Sequence, residues 1–192
     1  MQDDGIALYR RFIDGDEEGL EELIALYQHG LLRFIYGYVR DVGLAEDILT
    51  DVFLALYYKR SFRQHDGATL KTYLYTIARN KSLNLLKQRK RRREVSLEGL
   101  HECGNNEAER KAQLYLFDVT PAPDLALELA ERNQSLYDAL EKINVSYKEV
   151  LILRYFDGLA PERIAKITKR SPKQVYNLLA RGKIALKEVL LK

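Results

Sequence analysis

Residues 161–190 read PERIAKITKRSPKQVYNLLARGKIALKEVL, and this stretch decides the fold. Pro161 suits the first turn of a short helix, where its missing N–H is no loss. Ile164, Ala165 and Ile167 give that helix an apolar side. Lys169-Arg170 makes a tight turn. Ser171-Pro172 then opens a second helix, with serine to cap the free amides and proline at the first helical position. Along it Val175, Leu178, Leu179, Gly182, Leu186, Val189 and Leu190 share one face. Lys173, Asn177 and Arg181 fall opposite at steps of four, flanked by Gln174 and Tyr176. A helix that enters a DNA major groove needs this combination, an apolar side to hold it and cationic and amide groups for phosphates and base edges. An ordinary amphipathic helix shares the periodicity. The short first helix, tight turn and Ser-Pro start favour a helix-turn-helix.

Upstream, the periodicity is helical almost throughout, and no alternating apolar-polar run is bounded by turn signals. The fold class is therefore all-α. A first helix is expected over Asp3 to Ile13, ending at Asp14-Gly15-Asp16. Glu17, Glu18, Glu21 and Glu22 crowd the start of a second helix, as the helix dipole prefers. Its apolar residues include Leu20, Leu23, Ile24, Tyr27, Leu31, Phe34, Ile35 and Tyr38. Gly43 is expected to break the pattern. A third helix follows over about Leu44 to Lys59, with Ile48, Phe53, Leu56 and Tyr57 for burial, and a fourth from Leu70 into the basic residues 87–93. The stretch 94–123 holds Gly99, Gly104, Asn105-Asn106, Pro121 and Pro123, and reads as a linker with a short helix near Glu107 to Phe117. Helix resumes from Asp124, and Ser146 with Glu149 reads as a capping box. Two small helical domains, 1–93 and 124–192, follow from this division.

The fourth helix has Leu74, Ile77, Ala78, Leu85 and either Leu83 or Leu86 for the interior. Arg79, Asn80, Lys81, Asn84, Lys87 and Gln88 lie elsewhere around it, with Phe62, Tyr73 and Tyr75 close by. Cations that track phosphates beside rings that stack on bases suit single-stranded DNA. Packing in the core is the expected role of Tyr73. On the third helix Glu46, Asp47 and Asp51 approach one another, and Thr50 and Leu54 extend the same side. Such an acidic-apolar face docks on a basic partner or merely keeps the surface soluble.

Charge is distributed to match two contacts. Residues 1–93 carry a net +3, 94–123 a net −4 and 124–192 a net +4. Two mildly basic lobes joined by an acidic connector fit two separate nucleic-acid contacts. Apolar runs such as Glu149 to Phe156 are too short and too charged to span a bilayer, so no membrane insertion is expected. The acidic amino terminus lacks an export pattern, and a single cysteine, Cys103, fits a reducing compartment, so the expected location is cytoplasmic. Enzymatic activity is not expected. His29, His65 and His101 share no spacing with a nucleophile or other ligands, His101-Glu102-Cys103 lacks a second ligand pair, and no Gly-rich phosphate loop exists. No cofactor is implied.

The order of these segments resembles the extracytoplasmic-function group of bacterial sigma factors. Residues 45–53 (AEDILTDVF) are similar to the family's polymerase-binding helix, and residues 73–80 (YLYTIARN) to its promoter-melting and minus-ten-reading helix. Residues 149–159 (EVLILRYFDGL) with Ile164-Ala165 resemble its minus-thirty-five-reading domain. The resemblance implies a non-enzymatic factor that binds core RNA polymerase and promoter DNA and directs promoter recognition, melting and initiation. It implies that Glu46, Asp47, Asp51 and Leu54 meet polymerase, and that Phe62 to Asp66 helps hold a flipped base. Arg79, Asn80, Asn84 and Lys87 would contact the minus-ten element, and Ser171, Lys173, Gln174, Asn177 and Arg181 the minus-thirty-five element. It also leaves room for an anti-sigma factor that would clamp the two domains and hide their DNA faces. The chain departs from the family pattern at Thr50-Asp51, Tyr73, Asn84, Ile143-Asn144, Gln174, Tyr176 and Leu178. At Lys169 the family usually has glycine, and a left-handed backbone there would cost about 1 kcal/mol. A helix-turn-helix regulator without sigma activity explains residues 160–190 but leaves 70–93 and the acidic face unexplained. An interaction protein that keeps the fold without promoter function is the remaining alternative.

Overall fold

The computed structural model describes residues 4–59, 62, 69–95, 136 and 138–191. The linker with His101-Glu102-Cys103 and the expected helix near 107–117 lie outside the described residues, apart from 94 and 95. No strand occurs among the described residues. The chain divides into two compact units, residues 1–110 and 111–192.

In the first unit α1 (Asp4–Ile13) and α2 (Glu17–Val39) are joined by the expected turn. Gly15 takes φ 101°, a left-handed value open to glycine. Asp16 then caps α2, its carboxylate accepting from the Glu18 N–H at 3.1 Å. Gly19 lets the two helices meet closely, because a Cβ there would sit 2.8 Å from the Leu8 carbonyl oxygen. Leu23, Leu31, Phe34 and Ile35 of α2 are buried against α1, α3 (Val42–Lys59) and α4 (Leu70–Val95).

The break between α2 and α3 does not fall at Gly43. Arg40 closes α2 in the left-handed region at φ 53°, its N–H donating to the Tyr36 carbonyl. Asp41 then accepts from the Leu44 N–H at 3.0 Å. Gly43 is left inside the first turn of α3. An aspartate able to serve the free amides starts the helix two residues before the glycine.

In the second unit residues 138–142 are helical, followed by α5 (Val145–Leu151). Its cap is Asn144, whose side-chain oxygen accepts from the Ser146 N–H, and not the Ser146–Glu149 box expected. Asparagine at this position starts the helix two residues earlier, serving the Ser146 N–H instead of the amides a Ser146 cap would reach. Ser146 instead accepts from Arg170 at 2.9 Å.

From Ile152 to Phe156 the helix widens into a π turn, with the Asp157 N–H reaching the Ile152 carbonyl. Gly158 at φ 66° reverses the chain, and the Arg154 guanidinium donates to the Leu159 carbonyl at 3.1 Å. The helix-turn-helix follows as α6 (Pro161–Thr168) and α7 (Pro172–Leu190). Ile164, Ile167, Val175 and Leu179 are buried between them and α5. No helix among the described residues is long and apolar enough to cross a membrane.

Candidate nucleic-acid interface

α4 is long and mostly polar, and its register is set by Leu70, Leu74, Tyr75, Ala78 and Ser82, all buried. Ser82 spends its hydroxyl on the Ala78 carbonyl at 2.8 Å, which lets a polar residue sit on the buried side. This register brings Asn80, Asn84 and Lys87 into one stripe, with Asn84 and Lys87 exposed and Asn80 half-buried. Arg79 is half-buried and lies about 100° around the helix from Asn80. Leu83, Leu85 and Leu86 are half-buried, so the interior is narrower than the leucine count suggests.

The aromatic residues near this helix separate into two roles. Tyr75 is 1% exposed and packs its ring 5.2 Å from Phe34, so it is core and unavailable for stacking. Tyr73 is half-buried against Phe62, with ring centroids 5.4 Å apart. Phe62 is also half-buried, so its ring is partly open to solvent. Asp66 lies outside the described residues.

On α3 the division into two sides is clean. Ala45, Ile48, Val52, Phe53 and Leu56 are buried, while Glu46, Asp47, Thr50 and Asp51 are exposed and Leu54 is 42% exposed. Tyr57, expected in the core, keeps 40% of its surface in solvent with its ring 5.6 Å from Phe12. Tyr58 is 76% exposed and extends the same surface, a residue the helical periodicity did not single out. Asp51 accepts from Lys81 of α4 at 2.7 Å, tying the acidic face to the polar helix. At this exposure the pair contributes a fraction of a kcal/mol, about 0.2–1.

In the second unit α7 presents Lys173, Asn177 and Arg181 to solvent, opposite buried Val175, Leu179 and Gly182. Gly182 lets α7 pack closely on α5: a Cβ there would lie 3.3 Å from side-chain atoms of both Leu151 and Tyr147, a tight contact. Ser171 and Gln174 are exposed but bonded to each other. The Ser171 hydroxyl oxygen accepts from the Gln174 N–H at 3.2 Å, and the Gln174 side-chain oxygen accepts from the Ser171 N–H at 2.9 Å. This reciprocal cap fixes the helix start and leaves the Gln174 amide nitrogen as a donor for an outside acceptor.

The turn before it is held from two directions. Lys169 adopts φ 54° and the Arg170 N–H reaches the Ala165 carbonyl. Arg170 then fastens the turn to Ser146, a role no sequence periodicity marks. Tyr176 donates across to Glu162 of α6 at 3.4 Å, and Lys183 lies 5.2 Å over the exposed Tyr155 ring. The result is a rigid, donor-rich helix face able to meet phosphates and the acceptor edges of bases.

Comparisons with known proteins agree with both units. The family model "Sigma-70 region 2" matches residues 23–92, and "Sigma-70, region 4" matches residues 133–186. The RNA polymerase sigma factor YlaC of Bacillus subtilis is 29% identical over 177 residues, covering 91% of this chain and 94% of that protein. The RNA polymerase sigma-H factor of Pseudomonas aeruginosa is 26% identical over 183 residues, covering 95% and 92%. Among solved structures, the sigma factor RpoE of Bartonella quintana, crystallised with the anti-sigma factor NepR, shares the fold. Its TM-score is 0.67 at 23% identity, over 88% of this chain and 95% of that one.

Proposed function

The chain belongs to the extracytoplasmic-function group of sigma-70 RNA polymerase sigma factors, and from that premise we propose how its surfaces divide the work of initiation. As a sigma factor it binds core RNA polymerase and directs it to promoter DNA. The region 2 match removes the plain helix-turn-helix regulator, which left the first unit without a purpose. In our reading residues 1–93 form the polymerase- and minus-ten-binding domain, 94–123 a linker, and 124–192 the minus-thirty-five-binding domain.

The exposed side of α3, with Glu46, Asp47, Asp51 and Leu54, docks on core polymerase. Asn80, Asn84 and Lys87, with Arg79 beside them and Phe62 nearby, take the minus-ten element, and the segment from Phe62 to Asp66 helps hold a flipped base. Lys173, Asn177 and Arg181, with Gln174 and Ser171 at the helix start, take the minus-thirty-five element. The observation that carries this reading is the same design in both units. Each presents a stripe of amide and cationic side chains on a helix whose other side is buried. Amides and cations are the groups that pair with base edges and phosphates.

The factor acts without catalysis of its own, in the cytoplasm. RpoE was solved with an anti-sigma factor, and a comparable partner covering both stripes would hold this chain inactive. Transcription in vitro with bacterial core polymerase on a random promoter library tests the reading. Start sites that need the protein and share two spaced elements are expected. Absence of new starts with a cognate core enzyme would point to an interaction protein that keeps the fold alone.

A further inference from the structure

The region 2 match begins at residue 23, so α1 lies upstream of it. Yet α1 grips the residue that opens the segment read above as holding an unpaired base. Tyr9 of α1 is 5% exposed, and its hydroxyl oxygen accepts from the backbone N–H of Phe62 at 3.3 Å. The two rings also meet edge to face, with centroids 5.8 Å apart. On its other side Phe62 leans on Tyr73 of α4. Tyr9 is itself backed by Phe12, which is 2% exposed and touches Tyr57 of α3. Phe62 is thereby located by its main chain and its ring at once, from a helix with no DNA-reading stripe of its own.

We propose that Tyr9 is a positioning residue for promoter opening, which holds Phe62 in place beside α4 so that an extruded base meets a preformed surface. The inference rests on the reading of Phe62 to Asp66 as base-holding. Taking a base out of the duplex costs stacking and pairing energy, and a capture element that must first be ordered adds to that cost. Loosening Phe62 therefore slows opening of duplex DNA. DNA that is already open bears no such cost, and attachment to polymerase through α3 does not involve Tyr9.

Tyr9→Phe keeps the ring and removes the hydroxyl, and Tyr9→Leu also removes the edge contact. Each full-length variant is assayed with core polymerase on one library-selected promoter in two forms, fully duplex and with the start region pre-opened by mismatches. On the duplex Y9F is expected to lose about three- to tenfold in the rate of open-complex formation, the scale of one hydrogen bond. Y9L is expected to lose more. On the pre-opened template both should stay within about twofold of the unsubstituted protein, as should affinity for core, because contacts that only position Phe62 for base capture do not act where no opening is needed. Equal losses on the two templates, or full activity of both variants on the duplex, would overturn the proposal. Absence of core-dependent starts from the unsubstituted protein on either template would instead remove the reading beneath it.

Discussion

Lys169 stands at φ 54° and ψ 46° at the end of α6, in a region that side chains with a Cβ enter at a cost. The turn of the helix-turn-helix is therefore held under strain, kept by the Arg170 bonds to Ala165 and Ser146. Lys169→Gly should stabilise the second unit by about 0.5–1 kcal/mol, raising its unfolding midpoint by a few degrees in a calorimetric scan. A lower midpoint would mean that the lysine side chain contributes more than its backbone costs. Asp16 joins two helices in another way. It caps α2 and also accepts from Arg11 at 2.8 Å, and Arg11 reaches on to Glu22. The hydrogen bond from Arg11 is the main cause that holds the Asp16 carboxyl below its ordinary value of 3.8. A lowered folded value means that the contribution is whole above that ordinary value and fades as pH falls through the folded one. Asp16→Asn keeps the cap and loses the charge, so acid unfolding of the variant should depend less steeply on pH below about 4. An unchanged acid profile by circular dichroism would show that the pair carries no weight.

α3 changes chemistry along its length while keeping one exposed side. Asp47, Asp51, Leu54 and Tyr58 fall within about 60° of one another around the axis. The early half is acidic and the late half apolar, and these act differently in an encounter. Charges steer approach and set its salt dependence, whereas desolvated aromatic anchors slow departure. Asp47→Asn should thus reduce the association rate with core polymerase a few-fold, more so at low salt, and Tyr58→Ala should raise the dissociation rate about tenfold. Stopped-flow binding separates the two, and a Y58A effect confined to association would contradict the assignment. What the sequence discloses about such elements depends on how local the cause is. α7 is legible because the Ser-Pro start and the Val175–Leu179–Gly182 spacing are both local. The π turn is not, since the run from Val150 to Phe156 satisfies an ordinary helix equally well. The end of α2 is hidden because nothing in Arg40 announces a left-handed residue, while Gly43 is an obvious and wrong candidate. Tyr73 and Tyr75 are alike by composition, and only the packing of α4 on Phe34 buries Tyr75 and leaves Tyr73, expected in the core, half-buried against Phe62.

At the scale of the whole molecule, residues 1–93 carry +3 and 124–192 carry +4, with −4 in 94–123, and the two proposed nucleic-acid stripes lie one in each compact unit. The all-α class and the helix-turn-helix are readable from periodicity. Contacts between segments distant in sequence, such as Tyr9 with Phe62 and Arg170 with Ser146, are not, because no period links them. The division into two units carries a further consequence that lies in arithmetic rather than in any contact. With the proposed 94–123 linker as a tether, seating one DNA-binding domain confines the search of the other to the reach of that tether. The local concentration of that other domain becomes millimolar in scale, and overall binding gains a factor of order 10²–10⁴ without a new bond. Cutting the chain at a protease site inserted between 96 and 135 should therefore weaken promoter binding by about that factor, with every side chain of both stripes intact. Affinity measured before and after cleavage would report how much of the protein's hold on DNA belongs to covalent connection alone.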